Sequence, residues 1–170
     1  MPGNRTILAD ADVSGAIFGL TLQSTREEIY RALLESIAFG SRRIMDNFEE
    51  HGLELSRIVA CGGIAERSPL MMQLLADTSG RAVHVPEVEE IPARGAALFG
   101  AVAAGVFDDI AGAIEATRPE RERTYVPDLE AKKTYDRVYE IYRTLYGMLG
   151  KSQVRLLHDL KRIRTERSDA

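Results

Sequence analysis

The sequence predicts an α/β fold with few parallel strands and a helical extension at its C-terminal end. Three observations lead there. Two short β-branched runs, "RIVAC" (57–61) and "RAVHVP" (81–86), read as strands. A helix of about ten residues lies between them, the spacing of a parallel pair joined by a crossover. Beyond residue 120 the pattern becomes purely helical.

The first stretch, Met1 to Gln23, is polar and then turns apolar at "GAIFGLTL". Gly15 and Gly19 bracket that patch, which reads as a turn and a short strand. Thr25 opens T-x-x-E with Glu28, a capping box. The helix behind it carries Ile29, Leu33, Ile37, Ile44 and Phe48 at helical spacing, and that face is predicted to be its apolar one. His51-Gly52 should end it, with glycine as a left-handed cap.

"RIVAC" reads as a buried strand with Cys61 as a small buried hydrophobe. Ser68 and Pro69 give an N-cap and a first-turn proline to a helix reaching about Thr78 and stopping at Gly80. "RAVHVP" is the second strand. A third helix, about Ala93 to Ala104, is nearly all small residues, which suits close packing on a sheet or another backbone. A short helix fits Asp109 to Ala116. "RPERERTYVPD" reads as a charged connector. Tyr135, Val138, Tyr142, Leu145 and Leu149 then mark an amphipathic helix, and a basic helix is predicted from Ser152 to Arg164. The division expected is therefore 1–120 and 121–170. Two strands alone make too small a parallel sheet, since such pairs are normally buried on both faces. Either further strands or a partner must cover them.

Composition narrows the function. The chain has 170 residues, 45% hydrophobic and 28% charged, with a net charge of −4. That acidic balance argues against a general nucleic-acid binder. One cysteine excludes an internal disulfide and a zinc–cysteine cluster. No apolar run is long enough to span a membrane and no signal peptide is seen, so a cytoplasmic location is expected.

The turn "ACGGIAERSP" carries the chemistry. Gly62 and Gly63 let the backbone approach a ligand, and the helix start behind them offers N–H groups to a phosphate or polar group. The same glycines also serve a tight turn with no ligand. Arg67 reads either as a side chain lying along a nucleotide or as an exposed arginine beside the Ser68 cap. His84, between two valines, reads as structural. Glu87, Glu89 and Glu90 read as a solvated acidic loop. Tyr135, Tyr139, Tyr142 and Tyr146 form a stripe for core or docking packing.

Three segments in order resemble one family. "GAIFGLTLQSTREEIYRALLE" (15–35) is similar to a signature of the FGGY carbohydrate kinases, with Gly15, Ile17, Gly19, Leu20, Glu28, Ile29, Ala32 and Glu35 in its fixed places. "GGIAERSPLMMQLLADTSGRAV" resembles that family's adenosine-binding turn and helix, and "PARGAALFGAVAAG" its following helix. "GNR", "GGIAERSP" and "YVPD…YDRVYEIYRTL" are most similar to the ribulokinase branch. The resemblance implies a partial RNase H-like domain of actin-like ATPase type. It implies ATP with Mg2+ as cofactor and a ribulose-like sugar as substrate of the complete enzyme. It places Gly63 and Arg67 at the nucleotide, with Gly62, Ile64, Ala65 and Ser68 lining the turn. It also implies that the phosphate loops, the sugar pocket and the aspartate base are not in this sequence. No catalytic residue or metal ligand is expected here, Glu66 included, and the chain alone should be inactive. The rival expectation is an inactive homo-oligomerising module, with the tyrosine stripe and the C-terminal helices as its interface.

Overall fold

The computed structural model describes residue 7 and residues 10–88, 90–150 and 155–168. The "GNR" stretch, Glu89 and the predicted helix start at Ser152 lie outside the described residues. The elements run α1 (Arg26–Glu50), β1 (Ile58–Val59), α2 (Gly63–Arg67), α3 (Pro69–Ser79), β2 (Val83–Pro86), α4 (Ile91–Ala103), α5 (Ile110–Ala116), β3 (Glu122–Tyr125), α6 (Leu129–Gly150) and α7 (Leu156–Ser168).

The caps read from sequence form as predicted. Thr25 Oγ1 accepts from Glu28 N–H at 3.2 Å, and the Glu28 carboxylate accepts from Thr25 N–H at 2.9 Å. α1 ends in a Schellman motif: Leu53 N–H donates to Phe48 O and Gly52 N–H to Glu49 O, with Gly52 at φ +81°. Ser68 Oγ accepts from Met71 N–H at the start of α3, and Gly80 closes that helix in the left-handed region.

Among the described residues the sheet has three strands in the order β1-β2-β3. β1 and β2 are parallel, as expected, with Ile58 beside Val83. β3 is antiparallel to β2 and comes from the stretch read as a connector. Aligned residues share a face. Ile58, Val83, Val85 and Tyr125 therefore point to one side, where α3 packs. Val59, His84 and Thr124 point to the other side. Val59 stays about half exposed there, at 51%, so β1 is not the buried strand predicted. Cys61 is exposed too. One cause underlies both exposures: among the described residues β1 pairs along one edge only, and no helix covers its second side.

The core is built around α3, whose Met71, Met72, Leu74, Leu75, Ala76, Asp77 and Thr78 are all buried. α1 and α6 both pack on it. α1 buries Ala38 and Phe39, with Leu34 and Met45 against the cluster, and leaves Leu33 and Ile37 exposed. The predicted apolar face is therefore not the one that packs here. The helix has two apolar stripes, and only contact with α3 and α6 selects between them. Small-residue α4 packs on α5, and none of its own residues is buried.

The tyrosine stripe lies inside the chain. Phe39 meets the rings of Tyr135, Tyr139 and Tyr142 at centroid distances of 6.0, 5.7 and 5.6 Å. Tyr139 is only 1% exposed, so of the two expected roles, core or docking, it takes the core one and packs against α1. Arg42 joins three helices. Its Nη1 donates to Thr78 O at the end of α3 and to Asp136 Oδ1 on α6, both at 2.7 Å, and its guanidinium lies 4.0 Å over the Tyr139 ring.

Acid should loosen these links. Burial works against the charged form of Asp136, but hydrogen bonds from Lys132 and Arg42 outweigh it and hold the carboxyl below its ordinary value. His158 does the same for Asp10, and Arg43 for Glu50. A lowered folded pKa means that the unfolded chain takes up protons first. This stability is present above the ordinary carboxylate range and is lost as pH falls through the folded values. The thermal midpoint should therefore drop below about pH 4, and Asp136→Asn should flatten part of that slope. A midpoint that does not change between pH 6 and pH 3 would contradict this.

Candidate functional site

The turn after β1 is built by glycine. Ala60 N–H donates to His84 O at 2.9 Å, which keeps the chain on the sheet until Cys61. Gly62 then takes φ +88° and ψ 175°, a conformation that side-chain-bearing residues rarely adopt. Gly63 starts the five-residue α2. Its first internal bond runs from Glu66 N–H to Gly62 O at 3.1 Å, so the amides of Gly63, Ile64 and Ala65 precede the intrahelical ladder.

The six predicted residues occupy one turn but differ in what they present. A Cβ built on Gly62 or on Gly63 meets nothing within 4 Å, so open space lies in front of both. Ile64 is 65% exposed, and the Arg67 side chain is exposed and makes no hydrogen bond or ion pair among the described residues. Ala65 faces the other way, into the core. Ser68 spends its hydroxyl on the α3 cap. Gly62, Gly63, Ile64 and Arg67 are therefore the accessible edge, and Ala65 and Ser68 anchor it from behind.

One positioning residue escaped the sequence reading. Arg123, on β3, donates from Nη2 to Glu66 O at 3.2 Å, and its Nε lies 3.9 Å from Glu87 Oε1. It ties the last turn of α2 to the sheet. The alternation in "ERTY" was the available signal, obscured by the charge of the flanking residues. His84 is structural as read, with Nδ1 2.9 Å from Glu122 Oε1 and 3.2 Å from Thr124 Oγ1.

The turn is an open ledge. Among the described residues, a cavity of about 560 Å³ against α7 and another of about 380 Å³ between α1 and α6 both lie elsewhere. Among the described residues, no group of three or more His, Cys, Asp or Glu is placed to hold a metal ion. The open glycine backbone fits a flat apolar or polar ligand face, whereas nothing on this ledge fits a magnesium ion by itself.

Residues 1–104 match the family model described as the FGGY family of carbohydrate kinases, C-terminal domain. The chain belongs to the FGGY family of carbohydrate kinases. It is 39% identical over 167 residues to the ribulokinase of Halalkalibacterium halodurans, a match covering 96% of this chain and 30% of that protein. The ribulokinase of Staphylococcus aureus strain Newman is 35% identical, again over 96% of this chain and 30% of its own length. Among solved structures, the xylulose kinase from Rhodospirillum rubrum superposes with a TM-score of 0.67 at 32% identity, over 79% of this chain and 27% of that one. The ligand-bound xylulose kinase from Lactobacillus acidophilus gives 0.76 over 89% of this chain and 30% of that one; at 22% identity this supports the fold alone. The chain thus spans about 30% of the length of the FGGY ribulokinases it matches. The mixed α/β architecture is that of a partial actin-like domain. Among the described residues no helix is long and apolar enough to cross a membrane.

Proposed function

We propose that this chain supplies the adenosine side of the ATP site in a ribulokinase-like sugar kinase. One observation supports the reading above the others. The family's "GGIAERSP" stretch forms an open glycine turn, with Gly62 at φ +88° and the Arg67 side chain exposed at its rim. In the complete enzyme ATP with Mg2+ would supply the phosphoryl group for transfer to a hydroxyl of a ribulose-like sugar. This chain's residues bind and orient. The Gly63 backbone admits the nucleotide closely, Ile64 covers an apolar face, and Arg67 offers a charged planar group. Ala65, Ser68 and Arg123 keep that edge rigid. Residues 1–120 serve as the later part of the ATPase-like domain and 121–170 as a helical extension, with β3 joining the two. No nucleic acid and no membrane takes part, and the cytoplasm is the setting.

Titration of the chain with ATP and ADP tests the site. Binding is expected to be weak, because one side of a cleft holds a nucleotide poorly. Gly63→Asp should weaken it at least tenfold while leaving circular dichroism and the thermal midpoint unchanged, since the new side chain enters open space. Nucleotide binding that Gly63→Asp leaves intact would refute the assignment. A second reading, an inactive homo-oligomerising module, draws on the exposed apolar side chains of α1 and α6. It requires concentration-dependent sedimentation together with no thermal shift on adding Mg-ATP.

A further inference from the structure

The peptide plane between Glu66 and Arg67 is held from outside its own helix. α2 has only five residues, with bonds from Glu66 N–H to Gly62 O at 3.1 Å and from Ser68 N–H to Ile64 O at 2.9 Å. A helix this short is marginal on its own, and the glycines at its start add freedom rather than stiffness. Its last carbonyls need partners from elsewhere. Arg123 supplies one, donating from Nη2 to Glu66 O at 3.2 Å. That carbonyl belongs to the same rigid peptide unit as the Arg67 N–H, so the bond fixes where the Arg67 side chain leaves the turn. Arg123 is itself well placed. β3 sets it beside Val85, on the face where α3 packs, and its Nε lies 3.9 Å from Glu87 Oε1. The chain just beyond is pinned to α3: Gln73 Nε2 donates to Val126 O and Asp128 N–H to the buried Asp77 carboxylate, both at 2.8 Å. The stretch 123–128 therefore bonds to both helices that meet at Ser68. It comes after residue 104, where the match to the family model ends.

We propose that Arg123 is a positioning residue for the nucleotide, and that the stretch 123–128 sets nucleotide affinity through Glu66 O without touching the ligand. The inference rests on the nucleotide reading of the turn given above. Without the Arg123 bond, α2 can pivot between the Gly62-Gly63 turn and Ser68, and Arg67 samples several directions. A nucleotide must then order that edge as it binds, which lowers affinity. The coupling is reciprocal: a bound nucleotide holds α2 against Arg123 and so steadies β3. Arg121 is the matched comparison. It carries the same charge two positions earlier, is exposed, and its side chain makes no hydrogen bond or ion pair among the described residues. It shares the charge of Arg123 but not the bond.

Amide NMR of the full chain, titrated with ADP, tests this. Arg123→Ala should weaken ADP binding by about fivefold or more. It should also speed hydrogen exchange at the Glu66 and Ser68 amides before any ADP is added. Arg121→Ala removes the same charge and should change neither. Arg43→Ala breaks the two-bond pair with Glu50 on α1. It should lower the thermal midpoint and leave ADP affinity in place, which separates lost stability from lost position. The Arg123 side chain is 40% exposed, so its removal opens no core cavity. Arg123→Lys keeps charge and stem but not the guanidinium fork; it should show most of the loss and serves as the readout if the alanine variant does not fold. Unchanged ADP affinity in the Arg123 variants overturns the proposal. So does an equal loss in Arg121→Ala, which would make charge the cause, or in Arg43→Ala, which would make stability the cause. Gly63→Asp separates the two claims. ADP binding that Gly63→Asp weakens and the Arg123 variants leave intact sinks this proposal alone. No ADP binding by the unmodified chain, or binding indifferent to Gly63→Asp, sinks the nucleotide reading and the role of Arg123 with it.

Discussion

Given ribulose and ATP, the purified chain should release ADP no faster than a boiled control. Phosphoryl transfer depends on positioning and on charges aimed at the transition state. The proposed nucleotide edge is a ledge, with open space in front of Gly62 and Gly63 and neither cavity reaching it. A ledge can touch a nucleotide but cannot exclude water from it or align a second substrate. The nearest carboxylate, Glu66, sits in α2, where its backbone oxygen is engaged by Arg123. A positioned base is worth on the order of a hundred- to ten-thousand-fold, and alignment of two substrates contributes several powers of ten more. Losing both should bring the rate to background. The assay follows ADP with a coupled enzyme. Turnover above the boiled control, abolished by Gly63→Asp, would mean that the chain carries a complete site.

Tyr139→Ala should cost about 3–5 kcal/mol, the range for truncating a large buried aromatic ring. In a domain of this size that lowers the thermal midpoint by on the order of 10 °C. The ring packs at 5.7 Å from Phe39 and 6.0 Å from Tyr142, with Arg42 over its face. Its hydroxyl donates to Asp46 Oδ2 at 2.5 Å, and burial, aided by that carboxylate, raises the phenol's pKa well above its ordinary value. Tyr139→Phe keeps the ring and loses only the hydrogen bond to a carboxylate, so it should cost about 1.5–3 kcal/mol. The ratio of the two losses separates packing from hydrogen bonding. Had the stripe been a docking surface, Tyr139→Ala would leave the midpoint in place and change only the state of association.

The signals legible in the sequence were local ones. Thr25 with Glu28, Ser68 with Pro69, and Gly52 each state a helix boundary in their own chemistry, and the structure keeps all three. The three motifs in order carried the family. What was not legible depended on a distant partner. Leu33 and Leu34 are adjacent and equally apolar, yet only Leu34 meets the core, because α3 lies on its side. β3 looked like a connector because Glu122 and Thr124 are polar and exposed, and only Arg123 and Tyr125 turn partly inward. Cys61 follows an apolar run, but the run forms an edge strand with an uncovered face. At the turn, the family resemblance pointed to six residues in one stretch, but the sequence could not say that Ala65 faces the core, or that Arg123 would brace α2 from 57 positions away.

The partnership of α1 with α6 also sets a timetable. Arg42 and Asp136 are 94 positions apart in the chain, and Glu35 and Tyr135 are 100 apart. A ribosome adding about 5–20 residues each second therefore releases α1 roughly 5–20 seconds before the helix that covers Phe39. Throughout that interval a nascent chain displays Phe39 and the outer stripe of α1 together, the period in which a chaperone or a neighbouring nascent chain has most to bind. Once α6 emerges it covers Phe39, while Leu33 and Ile37 stay exposed.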